Sequence, residues 1–260
     1  MSIDITPVLL TFNEAKNIER TLAMLNWARD IVVVDSFSDD KTVSLASRFS
    51  QVRIFQRKFD SHAAQWNFSL KETAITTDWV LALDADYVLT DDCVKELKAL
   101  HPDSKTAGYQ AGFIYCISGK RLRASVYPPV TVLYRKEKAH YLQDGHTQRL
   151  SLDGEIAKLN SFILHDDQKD FGHWFSVQKN YAKLEAKKLV QSSFNSLNFP
   201  DQLRKIYLIA PFAMFFYCLF VKGVILDGIP GITYAFQRFL AELLLSMFLI
   251  QNSFERLKTP

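Results

Sequence analysis

From the N-terminus to about His165, short apolar runs alternate with amphipathic stretches. The run TPVLLTF predicts a strand, and NEAKNIERTLAML after it places Ile18, Leu22 and Leu25 at helical spacing. DIVVVD reads as a buried strand, DDKTVSLASRF as a helix with an acidic first turn, and VRIF as another strand. HAAQWNFSLKET predicts a helix and DWVLALDAD a strand. This alternation implies a parallel sheet with helices on both faces.

Between Gly108 and His165 the strand-like runs crowd together: GYQAGFIYCISG, PVTVLYRK, TQRLSL and SFILH. They predict a smaller antiparallel part joined to the first sheet. FSVQKNYAKLEAKKLVQSS then predicts a helix with Val177, Tyr181, Leu184 and Leu189 as its apolar stripe. The end of the chain differs. IYLIAPFAMFFYCLFV, Ile206 to Val221, carries no charge, and LAELLLSMFLI, Leu240 to Ile250, carries only Glu242. The first run is shorter than the roughly 20 residues of a spanning helix, and Pro211 interrupts it. The link KGVILDGIPGITYAFQRF is rich in turn residues. The expectation is two short helices forming a hairpin that dips into, or lies on, a membrane; the alternative is a buried helical pair in a soluble domain. The density of Tyr207, Phe212, Phe215, Phe216, Tyr217 and Phe220 favours the membrane, and Arg204, Lys205, Lys222 and Arg238 flank the runs where anionic head groups would lie. The chain thus divides into residues 1–198, with a first half 1–105 and a second half 106–198, and a tail 199–260.

Composition narrows the class. With 48% hydrophobic and 23% charged residues the chain is globular, not disordered. A net charge of +3 gives no footprint for nucleic acid. Three widely spaced cysteines without a CxxC pair exclude a disulfide framework and a zinc site, and fit a reducing compartment. The segment MSIDITPVLL lacks a basic region ahead of a long apolar stretch, so no signal peptide is expected and the N-terminal part reads as cytosolic.

The chemistry gathers at the strand ends, where open α/β sheets bind their ligands. The first strand ends in Thr11, Asn13 and Glu14, the second in Asp35, Ser36, Ser38, Asp39 and Asp40, and the third such end carries Asp84 and Asp86. Together they predict one acidic, hydrogen-bonding pocket. No glycine-rich turn follows the first strand, and no P-loop is present. Carboxylates in that place would repel a diphosphate unless a divalent cation stood between them. Asp84 and Asp86 are hard oxygen donors suited to Mg2+ or Mn2+. The bland alternative is one Asp capping the next helix and the other solvated in a turn.

TFNEAKNIERTL, VVVDSFSDDKT, QWNFSL and LALDADYVL, in this order and spacing, resemble the nucleotide-sugar half of the family 2 inverting glycosyltransferases. The likeness is to the bacterial branch that includes lipopolysaccharide-core glucosyltransferases. It continues through SGKRLRASVYPPVTVLYRK, AHYLQDGHTQRLSLDG, ILHDD and the tail segment KGVILDGIPG. The resemblance implies a GT-A fold: a Rossmann-like mixed sheet flanked by helices, here followed by the membrane-associated hairpin. It implies that Thr11, Asn13 and Glu14 line the nucleoside pocket, that Asp35 contacts base or ribose, and that Gln65 and Asn67 lie near the nucleotide or diphosphate. Asp84 and Asp86 become the D-x-D pair, with Asp86 the direct metal ligand. One departure matters. Where relatives read VDDGS, this chain reads VDSFS, so Ser36 replaces a carboxylate that would accept from a uracil N–H; UDP is still the first expectation.

Inversion by direct displacement needs a base on the acceptor side. In QDGHTQRL that base is Asp144, with His146 the alternative; the Asp-Gly pair also reads simply as a hairpin turn. His165, followed by Asp166, is a further metal or diphosphate contact or a structural histidine. Lys120, Arg121 and Arg123 in GKRLR would bind a lipid diphosphate or an anionic sugar, or form a solvated loop. Trp66, Trp79 and Trp174 read as core. The whole predicts a metal-dependent transferase at the cytosolic face of the inner membrane, peripheral or monotopic, with a nucleotide-sugar donor, a lipid-linked or polysaccharide acceptor, and oligomerisation left open. A nucleotidyltransferase or a non-catalytic membrane scaffold would be the alternatives.

Overall fold

The computed structural model describes residues 3–144 and 147–258 of the chain. It contains two compact units: Met1–Gly119 with Tyr127–Gln168, and Lys120–Val126 with Lys169–Pro260. The second unit takes up the chain at Lys169, not at residue 199, so the helix expected to close the first part belongs with the tail.

The first unit runs β1 (Ile5–Thr11), α1 (Ile18–Ala23), β2 (Ile31–Asp35), α2 (Thr42–Ala46), β3 (Val52–Gln56), α3 (His62–Glu72), β4 (Trp79–Asp84), β5 (Tyr87–Leu89), α4 (Asp91–Lys98) and β6 (Thr106–Ile117). After the excursion to β7 (Lys120–Arg121) come β8 (Val130–Arg135), β9 (Ala139–Asp144), β10 (Thr147–Leu152) and β11 (Glu155–His165). Among the described residues, eight strands of a nine-stranded sheet follow the order β3-β2-β1-β4-β8-β6-β11-β5, and the short β7 is the ninth, off that path. β1 pairs parallel with β2 and β4, and β2 parallel with β3. β8 is antiparallel to both β4 and β6, β11 is parallel to β6, and β5 is antiparallel to β11. The strands of the middle therefore do not make a separate antiparallel part. They extend the first sheet, because Ala107's neighbours Tyr109 and Ala111 on β6 join the same buried cluster as Leu81 and Leu83 on β4. Among the described residues, only β9 and β10 stand apart, as a two-stranded ribbon.

Side-chain alternation along the strands builds the two faces. Leu9, Val33, Leu81 and Leu83 pack with Ile18 and Leu22 of α1 and Leu97 of α4. Val8, Val32, Val34, Val80 and Ala82 pack on the opposite side with Ala63, Trp66 and Leu70 of α3. Ser61 caps α3 by accepting from the Ala64 N–H, and Thr90 caps α4 by accepting from Cys93, with Asp91 and Asp92 in that first turn.

The second unit contains α5 (Phe171–Gln191), α6 (Phe199–Arg204), α7 (Ile209–Phe216) and α8 (Ile229–Lys258). The expected pair of short tail helices is corrected here: α8 is one continuous helix of 30 residues. The turn-rich link ends at Gly228, which takes a left-handed φ of 67°, and Pro230 falls in the first helical turn, where its missing N–H breaks no bond. Gly231 is required by close approach, because a Cβ there would lie 1.7 Å from the Val224 carbonyl oxygen. Pro211 likewise sits in the first turn of α7 and interrupts nothing. On α5 the buried positions are Ala182, Ala186 and Leu189, packed on Leu245 and Leu249 of α8. Small residues make that seam, and Leu184 of the expected stripe is exposed.

Glu242 is the single carboxylate within the apolar heart of α8. Its oxygens accept from Arg204 Nε and Nη2 at 2.7–3.3 Å, and Arg204 Nη1 also donates to Asp201 at 2.8 Å. The two charges are mostly withdrawn from water, with side chains 28% and 10% exposed. Glu242→Ala would leave the half-buried guanidinium with Asp201 as its one carboxylate and is expected to lower stability by about 3 kcal/mol, measured by urea denaturation followed through helical circular dichroism. Replacing both partners by apolar residues is expected to recover most of that loss.

Candidate active site

Parallel register sets the polar edge. Thr11 pairs with Asp35 across β1 and β2, and Leu10 pairs with Asp84 across β1 and β4, so the three strand ends share one edge of the sheet. Asp35 is fully buried, and both its oxygens are engaged. It accepts from Thr11 Oγ1 at 2.8 Å, Ser38 Oγ at 2.6 Å and Ser38 N at 2.8 Å. Within this structure it holds the loop after β2, where the sequence reading gave it the base or ribose.

The loops after β1 and β2 are zipped together. The backbone N–H groups of Asn13, Glu14 and Ala15 donate to Ser38 Oγ, Thr42 Oγ1 and Asp40 Oδ2 at 2.9, 2.7 and 3.1 Å. Asn13 Oδ1 accepts from Asp39 N at 3.0 Å. Two rings emerge from this zipper: Phe12 and Phe37 are 53% and 55% exposed. Sequence reasoning passed over both, although each follows directly on a strand-end residue of the motif.

Three residues of α3 carry different contacts. Gln65, buried, donates from Nε2 to Ser36 Oγ at 2.8 Å and to the Arg57 carbonyl, and its Oε1 accepts from Arg57 Nη1 at 2.6 Å. Trp66 stacks on Tyr141 of β9 at 5.5 Å between ring centroids. Asn67 donates to the Tyr141 carbonyl at 2.8 Å and accepts from the Tyr141 N–H at 3.0 Å. The structure thus sets the Asn67 amide on the β9–β10 ribbon. The ribbon borrows this amide as a substitute for a neighbouring strand, and β9 leads to Asp144. His146 lies outside the described residues.

β11 brings the last groups. His165 lies in register with Tyr87 of β5 and Tyr115 of β6. Its Nε2 stands 3.1 Å from Asp86 Oδ2. The rings of Tyr87, Tyr115 and Tyr127 surround the imidazole, with centroids 4.5–5.3 Å away. Burial pushes the His165 pKa down, but the adjacent Asp86 carboxylate and, secondarily, Asp84 more than offset it and leave it raised. Its Nδ1 is buried without a hydrogen-bond partner. Asp166 accepts from Arg20 Nη1 at 2.5 Å, from Gly119 N at 3.2 Å and from Gln168 Nε2 at 2.8 Å. The side-chain amide of Asn17 ties Glu14 Oε2 to Asp167 Oδ1, both at 2.9 Å. Glu14 is therefore part of a clamp between α1 and the end of β11. Asn17 and Arg20 were missed because their partners lie about 150 positions away.

Among the described residues no three His, Cys, Asp or Glu side chains gather into a cation cage. The expected trio Asp84, Asp86 and His165 is accordingly not assembled around a point: His165 acts on Asp86. The donor chemistry of Asp84 and Asp86 still fits a hard cation whose other ligands are water and substrate oxygens. Arg121 and Arg123 belong to the second unit. Arg121 is exposed, whereas Arg123 Nε pairs with Asp227 Oδ1 at 2.9 Å and its Nη2 donates to the Leu226 carbonyl, so it is committed internally. Trp66 and Trp79 are core residues, and Trp174 is half-buried, stacked on Phe171.

Solved structures of like fold include residues 1–349 of S. aureus TarS in complex with UDP-GlcNAc, 12% identical, with a TM-score of 0.50 over 97% of this chain and 92% of that one. A mycobacterial protein gives 13% identity and a TM-score of 0.50, over 72% and 74% of the two chains. An uncharacterized glycosyltransferase of Rickettsia bellii is 25% identical over 255 residues, spanning 91% of this chain and 84% of that protein. One of Rickettsia typhi is 26% identical over 253 residues with the same coverage. The profile of glycosyl transferase family 2 matches residues 7–155, which takes in the polar edge from Thr11 to Asp144. With more than half of its length matched, and the strand ends carrying the acidic pocket in register, the chain is a member of glycosyl transferase family 2.

Proposed function

We propose that this glycosyltransferase is an inverting enzyme. It moves a sugar from a nucleoside diphosphate, UDP first, to a lipid-linked or cell-surface polysaccharide or lipopolysaccharide acceptor. The observation that carries the donor reading is the shared edge of β1, β2 and β4, with Thr11, Asp84 and the His165-anchored Asp86 on it. The UDP-GlcNAc complex of TarS supports UDP as the first nucleotide to test. Family membership sets aside the nucleotidyltransferase alternative.

Asp84 and Asp86 would hold Mg2+ or Mn2+, which when bound supplies positive charge for the diphosphate leaving group. His165 fixes the direction of the Asp86 carboxylate through Nε2. On the acceptor side, Asp144 at the end of β9 takes the hydroxyl proton. The acceptor oxygen bonds the anomeric carbon as the bond to the diphosphate breaks on the opposite side, which inverts the configuration.

The second unit supports a site of action at the cytosolic face of the membrane. Phe212, Phe216, Phe220 and Val221 on one segment and Ile229, Ile232, Phe236, Met247 and Phe254 along α8 all present apolar side chains outward. Ile229–Phe254 is long and apolar enough to cross a membrane, yet only a third of its most apolar window is buried within the protein. Exposed apolar area on this scale is foreign to a free soluble surface.

Three measurements check these statements. Calorimetry is expected to show UDP binding at least about tenfold tighter with Mn2+, and Asp86→Ala is expected to abolish that difference. Asp144→Asn is expected to lower kcat about a hundredfold or more while UDP affinity holds within about twofold; an equal loss of UDP affinity would remove Asp144 from the role of base. In flotation with anionic vesicles the protein is expected to rise with the lipid, and Phe216→Glu with Phe220→Glu to lower the bound fraction about tenfold.

A further inference from the structure

Within the second unit, Ala182, Ala186 and Leu189 of α5 pack on Leu245 and Leu249 of α8. Beside that seam lies a groove of about 650 Å³. Phe175 and Lys179 line it from α5, and Leu244, Met247, Phe248 and Phe254 from α8. Its volume falls within the roughly 300–1,000 Å³ of small-ligand sites. Folding leaves it uncovered: Phe175, Met247 and Phe254 are 37%, 57% and 62% exposed. Among the described residues its lining carries one charge, that of Lys179, and no carboxylate.

Lys179 also opens a basic stripe. Lys183 and Lys187 follow it at helical spacing on one face of α5, and all three are exposed. None of the three forms an ion pair among the described residues; Glu185 of the same helix lies 3.8 Å from Lys188. An ammonium beside an apolar slot matches an amphiphile with an anionic head and a hydrocarbon tail. The lysine stem lies along apolar surface while its Nζ donates to a phosphate oxygen. Met247 and Phe254 also belong to the outward apolar surface of α8, so the groove is continuous with the lipid-facing surface read above. A second copy docked by a twofold contact would bring its own row of ammonium groups to the same patch, which like charge opposes. We propose that this groove binds one acyl chain of an anionic phospholipid, with the head-group phosphate on Lys179. The inference rests on the membrane reading given above and names the lipid that the second unit selects.

The test uses the full chain with Phe175→Trp as a fluorescent reporter in the groove, on vesicles of equal parts phosphatidylcholine and phosphatidylglycerol. In one preparation the phosphatidylglycerol carries bromine, a fluorescence quencher, on its acyl chains; in the other the phosphatidylcholine does. The quenching that Phe175→Trp gains over wild type is expected to be about fivefold greater with brominated phosphatidylglycerol, the enrichment one lysine gives at an anionic surface. Lys179→Gln is expected to bring the two labels level while the melting temperature holds. Lys187→Gln, about two turns further along α5, is expected to keep the preference. Equal quenching by the two labels, or a preference that Lys179→Gln leaves unchanged, overturns the inference and leaves the membrane reading intact. So does a lipid-free dimer that Phe254→Glu dissociates, because a second copy then fills the groove. Failure of wild type to bind either vesicle overturns the membrane reading, and this inference with it.

Discussion

The pairing of β5 with β11 is the constraint on which the acidic site depends. β5 is three residues long and leaves β4 immediately after Asp84, Ala85 and Asp86. It runs antiparallel to β11 with Tyr87 opposite His165. That register delivers an imidazole from the far end of the unit to the Asp86 carboxylate, and the Asp166 N–H to the Asp86 carbonyl at 3.0 Å. A shift of one residue would turn His165 to the opposite face of the sheet and leave Asp86 without its donor.

Around that pairing the polar groups satisfy one another before any ligand arrives. Asp35 is closed by Thr11 and Ser38, Gln65 by Ser36 and Arg57, and Asp166 by Arg20, Gly119 and Gln168. A network so largely partnered is rigid, because each buried group would otherwise sit desolvated and unpaired; Arg20 Nε and His165 Nδ1 are its buried atoms without a hydrogen bond. The cost of organising the edge has thus been met in folding. What the substrate meets is a fixed frame from which a few groups project.

The β9–β10 ribbon follows another design. β9 and β10 pair only with each other, and an isolated hairpin is marginal in water. It is fastened to α3 by two side chains and one backbone amide: Asn67 on the Tyr141 backbone, Trp66 on the Tyr141 ring, and the Ala63 N–H donating to Gln143 Oε1 at 3.3 Å. The motif QWNFSL is therefore a hinge-pin between two parts of one unit. Its Gln65 reaches the loop after β2 and its Trp66 and Asn67 reach the ribbon. One short helix thus touches both the loop after β2 and the ribbon.

Much of this was legible in the sequence. Alternating apolar runs located the strands and helices of the nucleotide half, because period-2 and period-3.6 patterns are local properties of the chain. The clustering of Thr11, Asp35, Asp84 and Asp86 at strand ends was also local, since a parallel sheet with short crossovers must align its carboxyl ends. The rest belonged to the tertiary structure. That β6, β8 and β11 join the first sheet, that Asn67 holds the Tyr141 backbone, and that Arg123 pairs with Asp227 depend on the order of strands or on partners 74 and 104 residues away, which no local pattern encodes. The first turn of α8 packs against the preceding turn because Gly231 fits beneath the Val224 carbonyl, a fit visible only once the turn is folded. Sequence by itself determined the types of elements and which chemistry stands at their ends. Tertiary structure decided which of those groups remain for a substrate, because hydrogen bonding between distant segments consumes some and exposes others.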